Sequence, residues 1–489
     1  MENKQEDKVV FDVLIVGAGL SGIGAAVHLR QRCPERRLAI LEGRAESGGT
    51  WDLFRYPGVR SDSDMYTLGY GFKPWRAAKS IADGPAILHY IRETATEHGL
   101  DAHIRYQHKV VSAAWSSADA RWTVNILQGA DAQPIQMHCQ FLLMCSGYYR
   151  YDRGYLPAFE GMADFAGHIV HPQHWTPDVQ WADKRVVLIG SGATAVTLLP
   201  ELAKQATHVT LLQRSPTYMV SRPAVDRVAV WLNRYLPTKT AYALTRWKNV
   251  LMGMFFYRLA KTRPDGFARK LIEGVQQQLG PDIDVRKHFT PHYKPWDQRL
   301  CLVPHGDLFQ SIRQGKASVV TEQIERFVRD GVLLKNGQTL PADLIVTATG
   351  LDLQALGGIN LSVDGKPIQV RDCLGYKGMM LSGVPNLANV FGYTNASWTL
   401  KSDLTSQYVC RLLNHMAKTG TRQCTPTLAD STVIPARSVD FSSGYIQRSL
   451  DRFPQQGNKP PWRLHQNYLL DLLAFKFGRL DDGAMVFTR

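Results

Sequence analysis

The chain has 489 residues, 44% of them hydrophobic and 20% charged, and it carries a formal net charge of +14. This length predicts about two to four domains, and the balance of apolar and charged residues is typical of a soluble globular protein. The sequence contains no apolar run of about 18 residues, so no membrane-spanning helix is predicted, and its basic residues form no arginine-rich run or nucleic-acid motif, so nucleic acid is not an expected partner.

The N-terminus and the cysteines both indicate a reducing compartment. The first ten residues, MENKQEDKVV, lack the apolar core of a secretory signal, and the predicted location is the cytoplasm. The seven cysteines are scattered, and none forms a Cys-x-x-Cys pair. Their odd number and spacing predict reduced thiols and argue against a thioredoxin-like dithiol or a zinc knuckle.

A phosphate-binding turn follows the first apolar run of the chain. Residues 11–16, FDVLIV, predict a strand, and GAGLSG then places Gly17, Gly19 and Gly22 in the pattern G-x-G-x-x-G before the predicted helix IGAAVHLRQR. The first glycine permits a tight turn, the second lets a pyrophosphate approach the backbone, and the third lets the helix pack on the strand. The next apolar run, RLAILE, ends at Glu42, where a carboxylate binds a ribose hydroxyl in this arrangement. The unit therefore predicts a dinucleotide site without a 2′-phosphate, which favours FAD.

The same arrangement recurs farther along the chain. RVVLIG predicts a strand, SGATAV places Gly190, Gly192 and Ala195 in the pattern G-x-G-x-x-A, and the next strand, HVTLLQRS, ends with Arg214 and Ser215 in place of an acid. A carboxylate would repel a 2′-phosphate, whereas an arginine would pair with it and a serine could donate a hydrogen bond. This second unit predicts an NADPH site, and a surface arginine at a strand end is the alternative interpretation of Arg214.

The remaining patterns divide the chain into three parts. FLLMCSG (141–147) and DLIVTATG (343–350) each end a strand in a small-residue turn, which predicts a crossing between domains or, alternatively, an ordinary strand end. Between the second unit and DLIVTATG lie three helical patterns broken at Pro237 and Pro264. The predicted fold class is α/β, with two dinucleotide-binding, Rossmann-like domains and a helical insertion. The predicted boundaries are 1–150 and 353–489 for the FAD-binding domain, 151–217 and 297–352 for the NADPH-binding domain, and 218–296 for the insertion.

One segment of the insertion, TRWKNVLMGMFFYRLAK at 245–261, is apolar with basic flanks. The first interpretation is a helix buried within the insertion, since apolar runs usually enter a core. The alternative is a helix that lies on a membrane surface, which would make the protein a peripheral membrane partner.

Three histidines, His168, His171 and His174, stand close together in the stretch FAGHIVHPQHW, which links the two dinucleotide units. Three imidazoles at this spacing could bind a metal ion. No cysteine or acidic cluster completes such a site, so no metal is predicted.

The same stretch fits the pattern F-x-G-x-x-x-H-x-x-x-W through Phe165, Gly167, His171 and Trp175. This pattern resembles the fingerprint of type I Baeyer–Villiger monooxygenases, a branch of the class B flavin monooxygenases. The family pattern continues with Pro or Asp, where this chain has Thr176.

A second pattern of that family reads G-G-x-W, four residues, Tyr/Phe-Pro-Gly, three residues and Asp, and GGTWDLFRYPGVRSD meets it in full, ending at Asp62. The stretches RSDSDMYTLG, IGSGATAVTL, QRSPTY, PWDQRLCLVP and GYTNASW resemble the subgroup that contains the ethionamide-activating monooxygenase. The resemblance spans nearly the whole chain. It implies an FAD- and NADPH-dependent enzyme that converts ketones to esters or lactones through a C4a-peroxyflavin and also oxidises sulfides or thioamides.

The resemblance also implies a catalytic pair. Arg299 is expected to stabilise negative charge beside the flavin, and Asp62 is expected to orient its guanidinium. Asp64 is an alternative to Asp62, and a purely structural pairing with Asp297 or Asp307 is the alternative for Arg299.

The expected cofactor contacts come from both glycine-rich turns and from the flavin-facing motif. For FAD they are Gly17, Gly19, Gly22, Glu42, Thr50, Trp51, Asp62 and Val110. For NADPH they are Gly190, Ser191, Gly192, Ala193, Thr194, Arg214 and Ser215. By the same resemblance, Trp51 and Arg55 line the isoalloxazine ring, Asn395 and Trp398 line the substrate pocket, and His171 and Trp175 couple the two domains without acting as acid or base.

The expected partners are a small ketone or sulfur-containing substrate and molecular oxygen. Three other functions stay open at this stage: a flavin monooxygenase limited to N- and S-oxygenation, an NADPH oxidase-type flavoprotein or reductase, and a noncatalytic redox sensor or scaffold at a membrane surface. A disulfide reductase is disfavoured because the chain lacks the spacing of a redox dithiol. The sequence carries no signal for substrate size or oligomeric state.

Overall fold

The computed structural model describes residues 10–437 and 442–489, and its strands and helices are numbered here in chain order. The larger sheet has nine strands in the order β20-β19-β4-β5-β6-β1-β2-β3, with β23 also paired to β6. Strand β1 runs parallel to both β2 and β6, whereas β4, β5 and β6 form an antiparallel meander. The strands are β1 (Val10–Val16), β2 (Leu38–Leu41), β3 (Ile104–Arg105), β4 (His108–Ser116), β5 (Arg121–Gln128), β6 (Gln133–Met144), β19 (Asn360–Val363), β20 (Lys366–Ile368) and β23 (Leu387–Asn389).

Helices cover this sheet and complete the first dinucleotide-binding domain. Helix α1 follows β1 directly, and α11 packs on α1 from the C-terminal part of the chain. Because β1 lies between parallel neighbours, its residues 13–16 are all buried, as a near-continuous apolar run predicts. The helices are α1 (Leu20–Arg32), α2 (Thr50–Leu53), α3 (Met65–Leu68), α4 (Gly84–Glu97), α11 (Trp398–Thr419), α12 (Gly444–Gln447) and α13 (Tyr468–Phe477).

The second domain is built on a five-stranded parallel sheet in the order β13-β10-β9-β17-β8. A separate antiparallel meander, β14-β15-β16, packs beside it. The elements are β8 (His168–Val170), β9 (Arg185–Ile189), α5 (Ala193–Leu202), β10 (His208–Gln213), α10 (Asp307–Arg313), β13 (Ala317–Thr321), β14 (Ile324–Val328), β15 (Gly331–Leu334), β16 (Thr339–Pro341) and β17 (Leu344–Thr347). The predicted α/β fold with two Rossmann-like domains is therefore confirmed.

The insertion is helical and its helices end at the two prolines. Helix α6 ends just before Pro237, which caps the N-terminus of α7, and α8 begins at Pro264. The elements are β11 (Met219–Arg222), α6 (Arg227–Tyr235), α7 (Thr238–Thr262), α8 (Pro264–Leu279), α9 (Val285–His288) and β12 (Cys301–Pro304), with β11 and β12 paired in parallel. The insertion bridges the domains. Tyr242 of α7 packs on Tyr66 of the first domain, whereas Val275 and Phe289 join the core of the second.

Two chain segments cross between the domains side by side. Strand β7 (Tyr149–Gly154) leaves the first domain and pairs antiparallel with β18 (Leu351–Leu353), which returns to it.

The other short strands are β21 (Gly375–Tyr376) with β22 (Met380–Leu381), β24 (Gln423–Pro426) with β27 (Met485–Thr488), and β25 (Pro435–Ala436) with β26 (Gln456–Gly457). Short 3₁₀ helices lie at Asp101–His103, Met162–Asp164, Pro172–His174, Ala355–Gly358, Val370–Asp372 and Leu450–Arg452. Within the described residues, every helix is too short or too polar to cross a bilayer.

Candidate active site

The first glycine-rich turn leaves room only for glycine at its tight positions. Gly17 has φ of +104°, and a Cβ there would lie 2.6 Å from the carbonyl oxygen of Cys145. A Cβ at Gly22 would lie 1.8 Å from the carbonyl oxygen of Gly17, so α1 packs directly against the turn. No side chain caps the N-terminus of α1 at Gly19. The first amides of this helix therefore remain available to an anion.

Glu42 stands at the end of β2, beside this turn. Its carboxylate accepts hydrogen bonds from the backbone N–H of Ala18 at 2.8 Å and of Arg44 at 3.0 Å. Burial raises the pKa of Glu42, and these two hydrogen bonds oppose that rise. A carboxylate oxygen has more than one lone pair, so Glu42 can still accept a ribose hydroxyl from the cleft that it lines.

The predicted FAD residues converge on one long cleft of about 860 Å³. Its lining includes Gly17, Gly19, Glu42, Thr50, Trp51, Asp62 and Val110. Gly22 lies beneath the cleft floor, as its close approach to Gly17 requires. Arg55 lies elsewhere: it donates a 2.6 Å hydrogen bond to Asp52, and its side chain is 62% exposed. The glycine turn, the uncapped helix and the terminal acid together fit an extended dinucleotide.

Arg299 meets Asp62 in the wall of this cleft. The guanidinium Nη1 donates to Asp62 Oδ2 at 2.9 Å, and each side chain is 38% exposed. Burial opposes the charge of Arg299, but Asp62 and neighbouring tyrosines more than compensate, so the pKa of the guanidinium lies above its ordinary value. A permanent cation therefore faces the cleft.

The carboxylates that could have replaced Asp62 have other partners. Asp64 caps α3 by accepting the N–H of Thr67 at 3.1 Å, and it also accepts from Asn249. Asp297 pairs with a lysine at 3.0 Å and Asp307 with an arginine at 2.5 Å. Of the four candidate acids, the structure therefore places only Asp62 against Arg299 within the described residues.

Arg299 also lines a second, aromatic cavity that adjoins the cleft. Tyr148 and Trp398 are stacked there with their ring centroids 5.1 Å apart, and both also line the cleft. The other lining residues are Leu353, Phe391, Tyr393, Thr394, Tyr445, Ile446, Leu450 and Phe453. Burial raises the pKa of Tyr445 to about 12 despite the nearby Arg299 cation, so its hydroxyl stays protonated. The arrangement can hold an apolar molecule against one cation.

Sequence reasoning placed Trp398 in this cavity but missed several of its residues. Tyr148 follows the end of β6, and its position after a strand that reaches the cleft was a usable signal. Tyr445 and Phe453 come from a C-terminal stretch that carries no recognisable pattern. Asn395, predicted to line the pocket, instead donates to the carbonyl oxygen of Gln466 at 2.9 Å and so fixes the chain behind it.

The second glycine-rich turn also has a position where backbone crowding permits only glycine. Gly190 has φ of +137°, and a Cβ there would lie 2.3 Å from the carbonyl oxygen of Ala348. A Cβ at Gly192 would point into open space, which leaves the backbone free to approach a phosphate. Ser191, Ala193 and Thr194 surround the N-terminus of α5, which no side chain caps. These residues fit a second dinucleotide.

Arg214 and Ser215 follow β10 on the exposed surface, as the position of a 2′-phosphate requires. The preceding Gln213 is buried and donates to the carbonyl oxygen of His288 at 2.7 Å, so it serves packing. A further cation was not foreseen. Burial lowers the pKa of Arg448, and the charge of Arg214 adds to this effect. The Arg448 guanidinium lies over the ring of Tyr155, 3.4 Å from its centroid.

The histidine of the linker motif joins the two crossing segments. His171 Nε2 lies 3.1 Å from the carbonyl oxygen of Gly350, and its Nδ1 accepts the backbone N–H of Gln173 at 3.2 Å. These partners make Nε2 the protonated nitrogen of a neutral ring. Burial lowers the pKa of His171, which favours the same form. The imidazole also packs so closely on Gly154 that a Cβ there would lie 2.0 Å from it.

The other motif residues anchor this linker to the second domain. Phe165 and Trp175 are buried, and Trp175 packs edge-on against Trp181 at 5.6 Å. A Cβ at Gly167 would lie 2.5 Å from the carbonyl oxygen of Asp343, so the chain passes too close for a larger residue. Gln173, which sequence reasoning missed, donates to the carbonyl oxygens of Arg150 and Tyr151 in β7. No group of metal-ligating residues forms here or elsewhere in ranges 10–437 and 442–489.

Comparisons with known proteins agree with this architecture. The profile of the flavin-binding monooxygenase-like family matches residues 81–354, and that of an NAD(P)-binding Rossmann-like domain matches residues 15–84. The chain is 53% identical to the FAD-containing monooxygenase EthA of Mycobacterium tuberculosis, over 98% of each chain. It is 46% identical to the probable FAD-binding monooxygenase AlmA of an Acinetobacter species, over 98% of this chain and 96% of that protein.

A solved structure shares the fold over the full length. Steroid monooxygenase, in an oxidised form bound to NADP, aligns with a TM-score of 0.77 at 21% identity, covering 98% of this chain and 100% of that one. The full-length likeness to EthA and the profile match over more than half of the residues point the same way. The chain therefore belongs to the flavin-binding monooxygenase-like family, and its enzyme class is that of the flavin monooxygenases.

Proposed function

We propose that the enzyme binds FAD in the first glycine-rich turn and NADPH in the second, and that it converts ketones to esters or lactones and also oxidises sulfides or thioamides. The single observation that carries this proposal is the Arg299–Asp62 pair, which stands where the dinucleotide cleft meets the aromatic cavity. The names of the relatives and of the solved structure, which specify FAD and NADP, support the choice of cofactors.

The cofactor fit rests on the contrast between the two turns. The first ends at Glu42, whose carboxylate suits a ribose hydroxyl and repels a 2′-phosphate. The second ends at the exposed Arg214 and Ser215, and a guanidinium beside a hydroxyl suits the 2′-phosphate of NADPH. These opposite charges support the proposed assignment of the two sites.

Bound FAD would supply the activation of oxygen, and the chain would supply the environment of the reacting carbonyl. Arg299 presents a fixed positive charge to the cavity, and such a charge stabilises an oxyanion more strongly where water is excluded. Tyr148, Trp398 and Phe453 provide apolar walls that exclude water and hold an uncharged substrate. Asp62 restrains the guanidinium, so little reorganisation is needed as charge develops.

An isotope experiment tests the proposal. The purified enzyme is incubated with NADPH, oxygen-18 gas and a panel of linear ketones, aryl ketones and sulfides, and the products are analysed by mass spectrometry. We expect esters or lactones that carry one labelled oxygen, together with labelled sulfoxides. Labelled sulfoxides without esters would restrict the enzyme to heteroatom oxygenation. NADPH consumption that yields only hydrogen peroxide would overturn the proposal.

A further inference from the structure

Three neighbouring helices expose apolar stripes to solvent. On α7 the stripe is formed by Leu244, Trp247, Leu251 and Phe255, which recur at helical spacing on one face and are 40 to 62% exposed. Helix α6 adds Val228, Trp231 and Tyr235, and α13 adds Leu470, Leu473 and Phe477, in each case at positions i, i+3 and i+7. The segment 245–261 is therefore only partly a core helix, and its outer face is uncovered.

The three helices form one surface because they contact one another. Helix α6 packs on α7, and Lys248 of α7 is paired with Asp226 at the start of α6. On the other side, Trp247 of α7 and Tyr468 of α13 lie with ring centroids 5.9 Å apart. The exposed stripe of α7 thus runs between α6 and α13. Contiguous apolar surfaces of this kind mark an interaction site in a soluble protein.

The charged residues within α6 and α7 are all basic. Residues 227–264 include eight Lys and Arg residues and neither Asp nor Glu: Arg227, Arg234, Lys239, Arg246, Lys248, Arg258, Lys261 and Arg263. Lys248 and Lys261 are paired with Asp226 and Asp297. Arg246 is paired with Asp403. The other five, Arg227, Arg234, Lys239, Arg258 and Arg263, are exposed and have no carboxylate partner within the described part of the chain. The stripes on α6 and α7 are therefore bordered by cations that have no carboxylate partner in the described residues.

We propose that α6, α7 and α13 dock the enzyme on the surface of a bilayer that contains anionic lipids. Exposed Trp, Tyr and Phe side chains suit the boundary between headgroups and acyl chains, and the flanking Arg and Lys side chains suit the lipid phosphates. No helix in the described ranges is able to span a bilayer, so the contact is peripheral. The proposal does not depend on the substrate assigned above.

A second copy of the chain fits this surface less well. A two-fold interface would bring the surface against itself, and the segment 227–264 offers no acidic residue to meet its own cations. Like charges facing one another across an interface disfavour association. An anionic bilayer supplies the missing negative charge.

Vesicle co-sedimentation of the flavin-loaded enzyme tests the proposal. Vesicles of phosphatidylcholine alone are compared with vesicles of phosphatidylcholine and phosphatidylglycerol, at low and at high salt. We expect sedimentation with the anionic vesicles that weakens with salt, and little with the neutral ones. The triple variant Trp231→Ser, Leu251→Ser, Phe255→Ser should lose about tenfold or more in binding.

A second triple variant controls for the general loss of surface apolarity. Leu156→Ser, Leu428→Ser and Ile434→Ser alter exposed apolar residues outside the three helices and should bind anionic vesicles like the unmodified enzyme. Both variants should keep their flavin and their rate of NADPH oxidation in solution, which separates a docking defect from a defect in chemistry. Equal sedimentation of both triple variants would overturn the proposal. So would absence of sedimentation of the unmodified enzyme, or a dimer in light scattering that only the first triple variant disrupts.

Discussion

Asp62 and Asp64 carry the same functional group two positions apart, yet their surroundings give them different roles. Asp62 accepts a charge-assisted hydrogen bond from Arg299, whereas Asp64 caps α3 and accepts from Asn249. A carboxylate that restrains a guanidinium sets the position of its charge, and a carboxylate that caps a helix sets the course of the backbone. The sequence alone did not separate these two roles, because the two carboxylates stand only two positions apart in the same stretch.

The substitution Asp62→Asn tests this difference. The amide still accepts a hydrogen bond from Arg299 but removes the negative charge, so the guanidinium should be held less firmly. We expect ketone turnover to fall about tenfold, which corresponds to roughly 1.4 kcal/mol of lost transition-state stabilisation. The matched control is Asp64→Asn, since asparagine is an equally good N-cap. Steady-state kinetics should show little change in the control, and equal losses in both variants would indicate a general structural role.

Arg214 is the second residue whose role follows from one charge. The substitution Arg214→Ala removes a guanidinium that would pair with the 2′-phosphate of NADPH, and the loss should amount to about 1.5–3 kcal/mol. The Michaelis constant for NADPH should therefore rise by about ten- to a hundredfold. NADH lacks that phosphate and serves as the control substrate in the same assay. A similar rise in the Michaelis constants for NADPH and NADH would show that Arg214 does not bind the 2′-phosphate.

At the scale of elements, both proposed cofactor sites consist of a strand, a tight glycine turn and a helix that begins without a side-chain cap. The turns permit no Cβ at Gly17 or Gly190, where φ is positive and a neighbouring backbone oxygen lies within 2.6 Å of the position that a Cβ would occupy. Local sequence was sufficient to predict these units, because the strand, the glycine turn and the start of the helix are contiguous in each, although the oxygens that crowd the two glycines belong to Cys145 and Ala348. The unforeseen Arg448 belongs to a different stretch of the chain and reaches the ring of Tyr155 only through the fold.

The two turns should respond separately to Gly→Ala substitution. Gly17→Ala should yield protein without yellow flavin, whereas Gly190→Ala should keep the flavin and lose its reduction by NADPH. Absorbance near the flavin band, before and after NADPH is added, measures both effects. Gly337→Ala controls for backbone strain, since Gly337 also has positive φ, at +84°, but open space around it. Flavin loss from the Gly190 variant alone would mean that the two cofactor sites are exchanged.

The linker between the domains depends on a neutral imidazole. His171 joins β7 to the segment before β18, because it packs on Gly154 and donates to the carbonyl oxygen of Gly350. Its pKa in the folded protein is lowered by burial, so the unfolded chain takes up a proton at a higher pH than the folded chain. The stabilising contribution is complete above the ordinary histidine pKa of about 6.5 and is lost as the pH falls below it.

Thermal unfolding across pH measures this contribution. His171→Gln should lower the melting temperature most above pH about 7, and the difference from the unmodified enzyme should shrink as the pH falls below about 6.5. His168→Gln, at the exposed start of β8, is the matched control and should leave the profile unchanged. A difference that stays constant across this range would show that His171 does not carry the pH dependence.

For the whole molecule, the sequence predicted the two dinucleotide units and the breaks at Pro237 and Pro264, because local patterns encode them. The family resemblance, which the full-length relatives confirm, predicted the pairing of Asp62 with Arg299. The two residues lie far apart in the sequence and form an ion pair in the structure. Arg55 departed from its predicted place because the buried Asp52 attracts it together with Arg44 and Arg92. Such competition for one carboxylate depends on three-dimensional packing, so the spacing of residues along the sequence does not predict it.

The aromatic cavity is also a property of the whole molecule. Tyr148 lies in the turn between β6 and β7, Trp398 at the start of α11, and Tyr445 and Phe453 in the C-terminal part of the chain. Arg299 enters from the segment that follows the helical insertion. The cavity therefore forms only when both domains and the C-terminal stretch pack together, and no single sequence motif predicts it.

The most direct measurement of the central claim is the amount of labelled ester formed per NADPH consumed by the Arg299→Ala variant under oxygen-18 gas. The variant should retain FAD, because the glycine turn and Glu42 are untouched. Removing one preorganised charge of this kind costs about a hundred- to a thousandfold in rate. We predict that the variant oxidises NADPH with almost no labelled ester, while the unmodified enzyme couples the two. A variant that keeps its FAD and forms ester with the coupling of the unmodified enzyme would contradict the account.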